Sequence, residues 1–541
     1  MNSPVLSIDA SGWMSGRPVP LDHGGPADVP FEPYPDEWLT RSALEILDDM
    51  VGRWPDRVIV DDGATQLTYT GLTRASHNLA RHLHERLAPG TVVLALLRNV
   101  AHTAPILLGA SAAHIILVPV DIGAPADRKL ALLEASGAEA ILFEEGSAPD
   151  LDFAPAEVAR IALSIDTDTV AAAPSLPYHP DRVAAIAYTS GSTGQPKGIV
   201  YTLRHASAMV QRHINVYHIN QNDVIAGVAS LSAAGLREIL CAVFSGAKLR
   251  PIDFMRMGMA ESIRVMAEEG VTVLSFVTSA LRMLLQVPGI DSAFGNLRAL
   301  DLVGESTSAQ DLSLFRTKLP ADCAIGVGFG STETNVIFRW FVNDALVTGA
   351  IVPSGYLDQG RCVRIEDEDG NPVPIGEAGE LVVSDDVLAL GYRSLTAEGG
   401  VDDYAFRARA GEPGPRTYHT GDVVRLRADG LLEFVGRRDR MVKIRGLQAD
   451  LGEVEAALRS VASVDDAVTV PVTGSDGSVS LTAFVTSEGG DGAVPLADLR
   501  AAVTRQSAAH MVPSRFVFVS AIPRLHNGKP DLVRLQRDAA A

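Results

Sequence analysis

From Trp38 onward the chain alternates helical patterns with short β-branched, apolar runs, and no other feature restricts its fold as strongly. A helical pattern over Ala75–Leu87 leads into TVVLALL, one over Ile106–Ala113 into IILVPV, and one over Lys129–Ser136 precedes AEAILFE. The order returns at Ser262–Glu269, followed by VTVLSFV and then LRALDLVG. Strands alternating with helices imply βαβ units and a mainly parallel sheet flanked by helices. After about residue 350 the texture changes. GRCVRIEDEDGNPVPIGEAGELVVS has strand–turn–strand spacing with DG and NP turn signals, which predicts a β-rich subdomain. A second shift follows GRRDR, where KIRGLQADLGEVEAALRSV, DAVTVPV, LTAFVTS, DLRAAVTRQSA and FVFVS read as a small α+β unit of about 100 residues. The expected domains are therefore 1–438 and 439–541. The first 35 or so residues, rich in Pro, Gly and Asp, predict an irregular arm.

Length supports more than one domain, since 541 residues exceed what a single hydrophobic core organises. The 46 Lys plus Arg against 66 Asp plus Glu leave a formal charge of −20, which argues against nucleic acid or an anionic membrane as partner. Cys241, Cys323 and Cys362 are far apart, show no metal-ligand spacing and are odd in number, so a reducing cytoplasm is expected. MNSPVLSIDASGWMSGRPVP lacks the basic start and apolar run of a signal peptide, and runs such as VVLALL are too short to span a membrane.

Chemistry first shows in IAYTSGSTGQPKGIV, Ile186 to Val200. Thr189, Ser190, Ser192 and Thr193 can donate hydrogen bonds, Gly191, Gly194 and Gly198 permit close backbone approach, and Lys197 adds a positive charge. Such a loop suits a polyphosphate, although Lys197 is followed by Gly198 and so does not form a Walker-type P-loop. A solvent-exposed flexible loop is the plain alternative.

Other segments place this loop in a family. YTSGSTGQPKG resembles the signature loop of the adenylate-forming enzymes, the superfamily of acyl-CoA synthetases, firefly luciferases and nonribosomal-peptide-synthetase adenylation domains. GFGSTET (Gly328–Thr334) and YHTGDVVRLRADG (Tyr418–Gly430) are similar to its next two core motifs. GRRDRMVKIRGLQADLGEVE (Gly436–Glu455) resembles its hinge, and NGKPD (Asn527–Asp531) the segment bearing its C-terminal lysine. QLTYTGL, VPVDIGAPADRKL and LALGYR are weaker matches. The motifs keep the family's order over about 480 residues, and their wording is nearest to peptide-synthetase adenylation domains.

The resemblance implies an ATP-dependent, AMP-forming acid ligase, in which a carboxylate attacks the α-phosphorus of ATP to give an acyl-adenylate and pyrophosphate. Catalysis of that kind is mainly positioning and charge neutralisation. It implies that Thr189–Gly194 and Lys197 hold the β- and γ-phosphates, that Glu333 anchors Mg²⁺, and that Thr332 contacts the α-phosphate. It sets Phe329 against adenine, with Gly330 and Ser331 beside it and Gly304, Glu305 and Ser306 of LVGES also at the nucleotide. Asp422 would bind both ribose hydroxyls and Arg437 would touch the ribose. Lys529, carried by a mobile small domain, would bridge the substrate carboxylate and the α-phosphate. Rotation about Asp439 would then bring in the segment of Lys443 and Gly446, whose glycine leaves room for a pantetheine thiol.

The same resemblance outlines the acid pocket: Ala233, Ala234, Arg237, Ser275, Asp301, Val303, Gly328, Val336 and Ile337. Ala233 stands where amino-acid-activating members carry the aspartate that pairs with the α-ammonium, so a standard α-amino acid is not expected. Arg237 and Asp301 either neutralise each other, or Asp301 receives an amino group away from the α-carbon, or Arg237 receives a second polar or acidic end. A β-amino acid or other unusual acid fits these options better than a long acyl chain, and an α-amino acid held by a relocated amine-binding residue is the alternative. No carrier-domain serine motif follows Lys529, so the expected acceptor is the phosphopantetheine of a separate carrier protein, with CoA as the alternative. Retention of Glu333, Asp422 and Lys529 argues against a non-catalytic nucleotide-binding protein.

Overall fold

The computed structural model describes residues 6–16, 29–147, 150–189, 197–228, 234–395, 401–408, 416–438, 441–444, 447–461, 463–473, 479–487, 494–506, 511–524 and 530–540. Among them the strand Val92–Leu97, VVLALL, is buried at every position because each face meets a different helix layer. Val93, Ala95 and Leu97 share a core with Leu72, Leu79 and Leu83 of the helix Tyr69–His84. Val92, Leu94 and Leu96 pack with Leu132 and Leu133 of the helix Ala126–Ser136. Full burial of one such side chain contributes roughly 1.5–3 kcal/mol, so a strand of this composition is stable only between two helix layers.

Three large sheets result. In one, Val183–Thr189, Ile116–Asp121, Val92–Leu97, Ala140–Glu144 and Ala159–Leu163 run parallel, and Lys197–Thr202, Gly391–Leu395 and Val401–Ala405 extend it antiparallel. In the second, Ala324–Ser331, Ala299–Leu302, Val273–Phe276, Val224–Gly227, Lys248–Pro251 and Val58–Asp61 are parallel, with Asn335–Phe341 and Tyr356–Leu357 antiparallel beyond Ala324–Ser331. The third is antiparallel and is built around Cys362–Glu366, Ala378–Asp385, Arg416–Leu426 and Leu432–Arg437. This is the β-rich region that the turn signals after residue 350 predict.

The beginning of the chain departs from the expected irregular arm. Leu6–Ile8 and Met14–Gly16 form a hairpin that pairs with Cys362–Glu366. Leu6, Trp13 and Met14 are buried there, with the Arg364 guanidinium 4.8 Å from the Trp13 ring centroid. Three-residue strands are too short for alternation to register in sequence, and the waiting sheet edge supplies the order. Beyond Arg437, a sheet of Asp466–Thr473, Val479–Thr486 and Arg515–Phe518 carries Leu451–Arg459 and Leu496–Gln506 in one core and Leu532–Ala540 in another, the α+β unit expected from the sequence.

The N-terminal ends of the parallel strands in the second sheet are fastened by an ion pair between a buried carboxylate and a partly exposed guanidinium. Arg298 Nε donates to Asp223 Oδ1 at 2.7 Å and its Nη2 to Oδ2 at 2.5 Å, while Nη1 donates to the Tyr217 carbonyl at 2.9 Å. Thr272 Oγ1 and the Asn220 N–H donate to the same carboxylate. Arg298→Met would leave a desolvated carboxylate uncompensated, so the urea midpoint should fall by the equivalent of about 3–5 kcal/mol. An unchanged midpoint in urea titration would remove this pair from the account of how the strands are aligned.

Candidate active site

The turn carrying GFGSTET joins Ala324–Ser331 to Asn335–Phe341, and its shape is over-determined. A Cβ on Gly330 would lie 2.0 Å from the Asn335 carbonyl oxygen, so no other residue allows this approach of backbone to backbone. Asn335 itself sits in the left-handed region at φ 56°. Thr334 Oγ1 accepts from the Ser331 N–H at 3.0 Å. Beneath the turn lies Arg361, 0% exposed, whose Nη2 donates to the carbonyls of Thr334 at 2.8 Å and Val336 at 3.0 Å. Its Nη1 pairs with buried Asp385.

Held in this way, Glu333 meets two other sheets. Tyr392 Oη donates to Glu333 Oε1 at 2.7 Å and lies 2.9 Å from Tyr418 Oη. Tyr392 comes from Gly391–Leu395 in the first sheet and Tyr418 from Arg416–Leu426 in the antiparallel sheet. Burial and the Glu333 charge push both phenols above their usual range, which keeps them protonated donors. The Lys197 ammonium stands 3.5 Å from the Tyr392 ring centroid, so cation, phenol and carboxylate form one group. Tyr201, also raised by burial and by Glu333, stands beside Thr332. Tyr392 and Tyr418 lie inside LALGYR and YHTGDVV, yet a strand tyrosine carries no functional mark in sequence.

Four residues beyond Tyr418 on the same strand, Asp422 lies opposite Arg437 in register. Arg437 Nη1 donates to Asp422 Oδ1 and to the Thr420 carbonyl, each at 3.0 Å. Phe329 is half-buried, with its ring centroid 5.8 Å from Phe434 and 6.4 Å from Phe338. Of LVGES, Gly304 takes φ 82° and Ser306 is exposed, while Glu305 is occupied: its carboxylate accepts from Ser279 N–H at 2.9 Å and Ser279 Oγ at 3.0 Å.

Of the residues expected around the acid, Ser275, Asp301, Val303 and Gly328 gather at the C-terminal ends of neighbouring parallel strands, where α/β sheets take their ligands. Val303 and Val336 flank Gly328, each 3.4 Å from where its Cβ would be. Ile337 instead lies in the apolar core of the antiparallel sheet with Val363 and Leu381. Asp301, 0% exposed, accepts from Tyr217 Oη at 2.5 Å and Ser275 Oγ at 3.2 Å. Arg237 Nη2 lies 3.4 Å and Arg339 Nη1 3.6 Å from its oxygens. Burial alone would raise Asp301, but Arg339, Arg237 and the Tyr217 hydrogen bond hold it down at about 2. Arg237 and Asp301 are therefore an ion pair, joined by Arg339, which the sequence did not mark.

Ser190, Gly191, Ser192, Thr193, Gly194, Ala233, Asp439, Gly446 and Lys529 lie outside the described residues. Thr189 ends the strand Val183–Thr189, Ala234 opens the helix Ala234–Ser245, and Lys443 lies in Met441–Ile444. Among the described residues no group of three or more His, Cys, Asp or Glu could enclose a metal. A lone carboxylate with one oxygen fixed by a tyrosine fits Mg²⁺, which takes one or two protein carboxylates and completes its shell with phosphate oxygens and water. No helix among the described residues is long and apolar enough to cross a membrane.

The family model for AMP-binding enzymes matches residues 47–393, and that for the AMP-binding enzyme C-terminal domain matches 453–529. The chain is 30% identical over 507 residues to phosphinothricin tripeptide synthetase PhsC of Streptomyces viridochromogenes, with 91% of this chain and 44% of that protein aligned. It is 29% identical to tyrocidine synthase 3 of Brevibacillus parabrevis, covering 91% of this chain and 8% of that one. The chain thus spans less than half the length of these relatives. Among solved structures, Klebsiella oxytoca NpsA in complex with 3-hydroxyanthranilyl-AMSN superposes with a TM-score of 0.76 at 22% identity, over 92% of this chain and 99% of that one. The anthranilate CoA ligase AuaEII in complex with anthranoyl-AMP gives 0.77 at 19% identity, over 95% and 98%. The fold and the two matched segments together place this chain in the AMP-binding enzyme family, as an adenylation domain that joins a carboxylic acid to AMP at the expense of ATP.

Proposed function

We propose that this chain activates a carboxylic acid other than a standard α-amino acid to its acyl-adenylate, and then passes the acyl group to the phosphopantetheine thiol of a carrier protein. One observation carries the first half: a carboxylate, an ammonium and two phenols from three sheets meet around Tyr392, with the Asp422–Arg437 pair on the strand of Tyr418. Tyr418 and Asp422 are four residues apart on one strand, with an irregularity at Gly421 between them, and lie at most about 13 Å from one another. That spacing accommodates a nucleotide with its ribose at Asp422 and its phosphates toward Glu333.

In this reading Asp422 accepts the ribose hydroxyls and Arg437 keeps that carboxylate oriented. Thr332 donates to the α-phosphate, and Lys197 with the Thr189–Gly194 segment neutralises the departing pyrophosphate. Glu333 holds Mg²⁺, which when bound supplies charge neutralisation on the phosphates. The substrate carboxylate then attacks the α-phosphorus, the bond to the pyrophosphate oxygen breaks, and Lys529 offsets the charge brought together. The small domain is taken to begin at residue 439, and its movement exchanges Lys529 for the Gly446 segment. The thiol, as thiolate, attacks the acyl carbon and AMP leaves. A carrier protein is favoured as acceptor by the peptide-synthetase relatives, and CoA could use the same channel.

Three measurements test this. Acid-dependent ATP–pyrophosphate exchange should be present and Mg²⁺-dependent, and Glu333→Gln should lower it roughly 10²–10³-fold with the fold unchanged by circular dichroism. Wild-type-like exchange in that variant would displace Glu333 from its role. Tyr392→Phe removes one hydrogen bond to a charged oxygen, so the Mg²⁺ concentration for half-maximal exchange should rise roughly tenfold, with a smaller change in the KM for acid. Gly446→Leu should preserve exchange but suppress acyl transfer to thiol acceptors; equal loss of both half-reactions would count against the channel.

A further inference from the structure

The acid pocket ends on more positive charge than it neutralises. Two guanidiniums, Arg237 and Arg339, share the one carboxylate of Asp301, and both are at least nine-tenths buried. Burial and the neighbouring Arg237 keep His213 neutral at physiological pH, 3.7 Å from Asp301, so the imidazole neither adds to nor cancels the charge. Arg237 Nη2 donates to Ser275 Oγ at 2.8 Å, while Arg237 Nε and the Nε and Nη1 of Arg339 have no hydrogen-bond partner among the described residues. Asp358 also faces Arg339, but it is shared with Arg212 and Arg361, and burial raises its pKa. The buried Glu238, next to Arg237, leaves the helix about 100° away from it. Unpaired guanidinium donors in so dry a place are costly and call for an anion.

Asp301 is also closed to a substrate ammonium. Its oxygens already accept from Tyr217 and Ser275 and face Arg237 and Arg339, so an incoming cation would meet two like charges. Val303 and Val336, at Gly328, give the intervening wall an apolar character. We propose that the activated acid carries a second carboxylate at its remote end, received by Arg237 against Ser275 and backed by Arg339. The planar fork of Arg matches a carboxylate in two parallel hydrogen bonds, which gives length and charge selectivity together. This rests on the acid-activating reading above and narrows it to dicarboxylic acids.

The test titrates the unaltered chain calorimetrically with succinic, glutaric and adipic acids and with the monoamide of each, then runs the same compounds in ATP–pyrophosphate exchange. At least one diacid should bind roughly 10- to 100-fold more tightly than its monoamide. Arg237→Met should erase that preference. Should that variant fail to fold, Arg237→Lys, which keeps the charge and loses the fork, should reduce it. Equal or better binding of the monoamides, preference for amine-ended acids, or no binding of any diacid would overturn the inference. A diacid preference in binding with no exchange for any acid would leave the pocket inference standing and overturn the activation reading instead.

Discussion

One carboxylate ties three sheets together. Glu333 hangs from the turn at the end of the second sheet, is gripped by Tyr392 from the first, and through that phenol touches Tyr418 of the antiparallel sheet. A side chain so connected costs little to reorganise when charge gathers near it, since its donors are already aimed. The geometry of the hub depends in turn on Arg361, whose guanidinium holds two carbonyls on either side of a left-handed asparagine. Burying that guanidinium with Asp385 is a choice of shape over stability, because an apolar pair of similar size would serve stability as well.

The same device recurs where alignment matters. Arg298 with Asp223 fastens the starts of the parallel strands, and Asp301 with its two arginines occupies the other end of them. Between these two polar layers the strands are apolar, so a slip in register would strand a charge at one end or the other. Strand alignment and pocket geometry are thereby coupled.

Much of this was legible in sequence because it depends on short-range pattern. Strands such as VVLALL carry their two-sided burial in plain view, and the motifs that hold Glu333, Asp422 and Lys197 carry glycines and hydroxyls that stand out. What escaped notice depends on contacts between distant segments. Arg339 in NVIFRWF reads as an exposed strand residue until the sheet brings it beside Asp301. Tyr392 and Tyr418 lie in quoted motifs, but their meeting requires two sheets to converge. The hairpin at the start of the chain was missed for a related reason: its strands are three residues each and owe their order to the edge they join.

That hairpin also has a protective effect. Met14–Gly16 covers Cys362–Glu366, a strand buried at Val363 and Ile365 that would otherwise present a row of open N–H and C=O groups. Trimming the chain behind Gly16 would bare that edge and the apolar floor beneath it. Preparations shortened at this end would then be prone to edge-to-edge self-association, a colloidal defect with no bearing on chemistry.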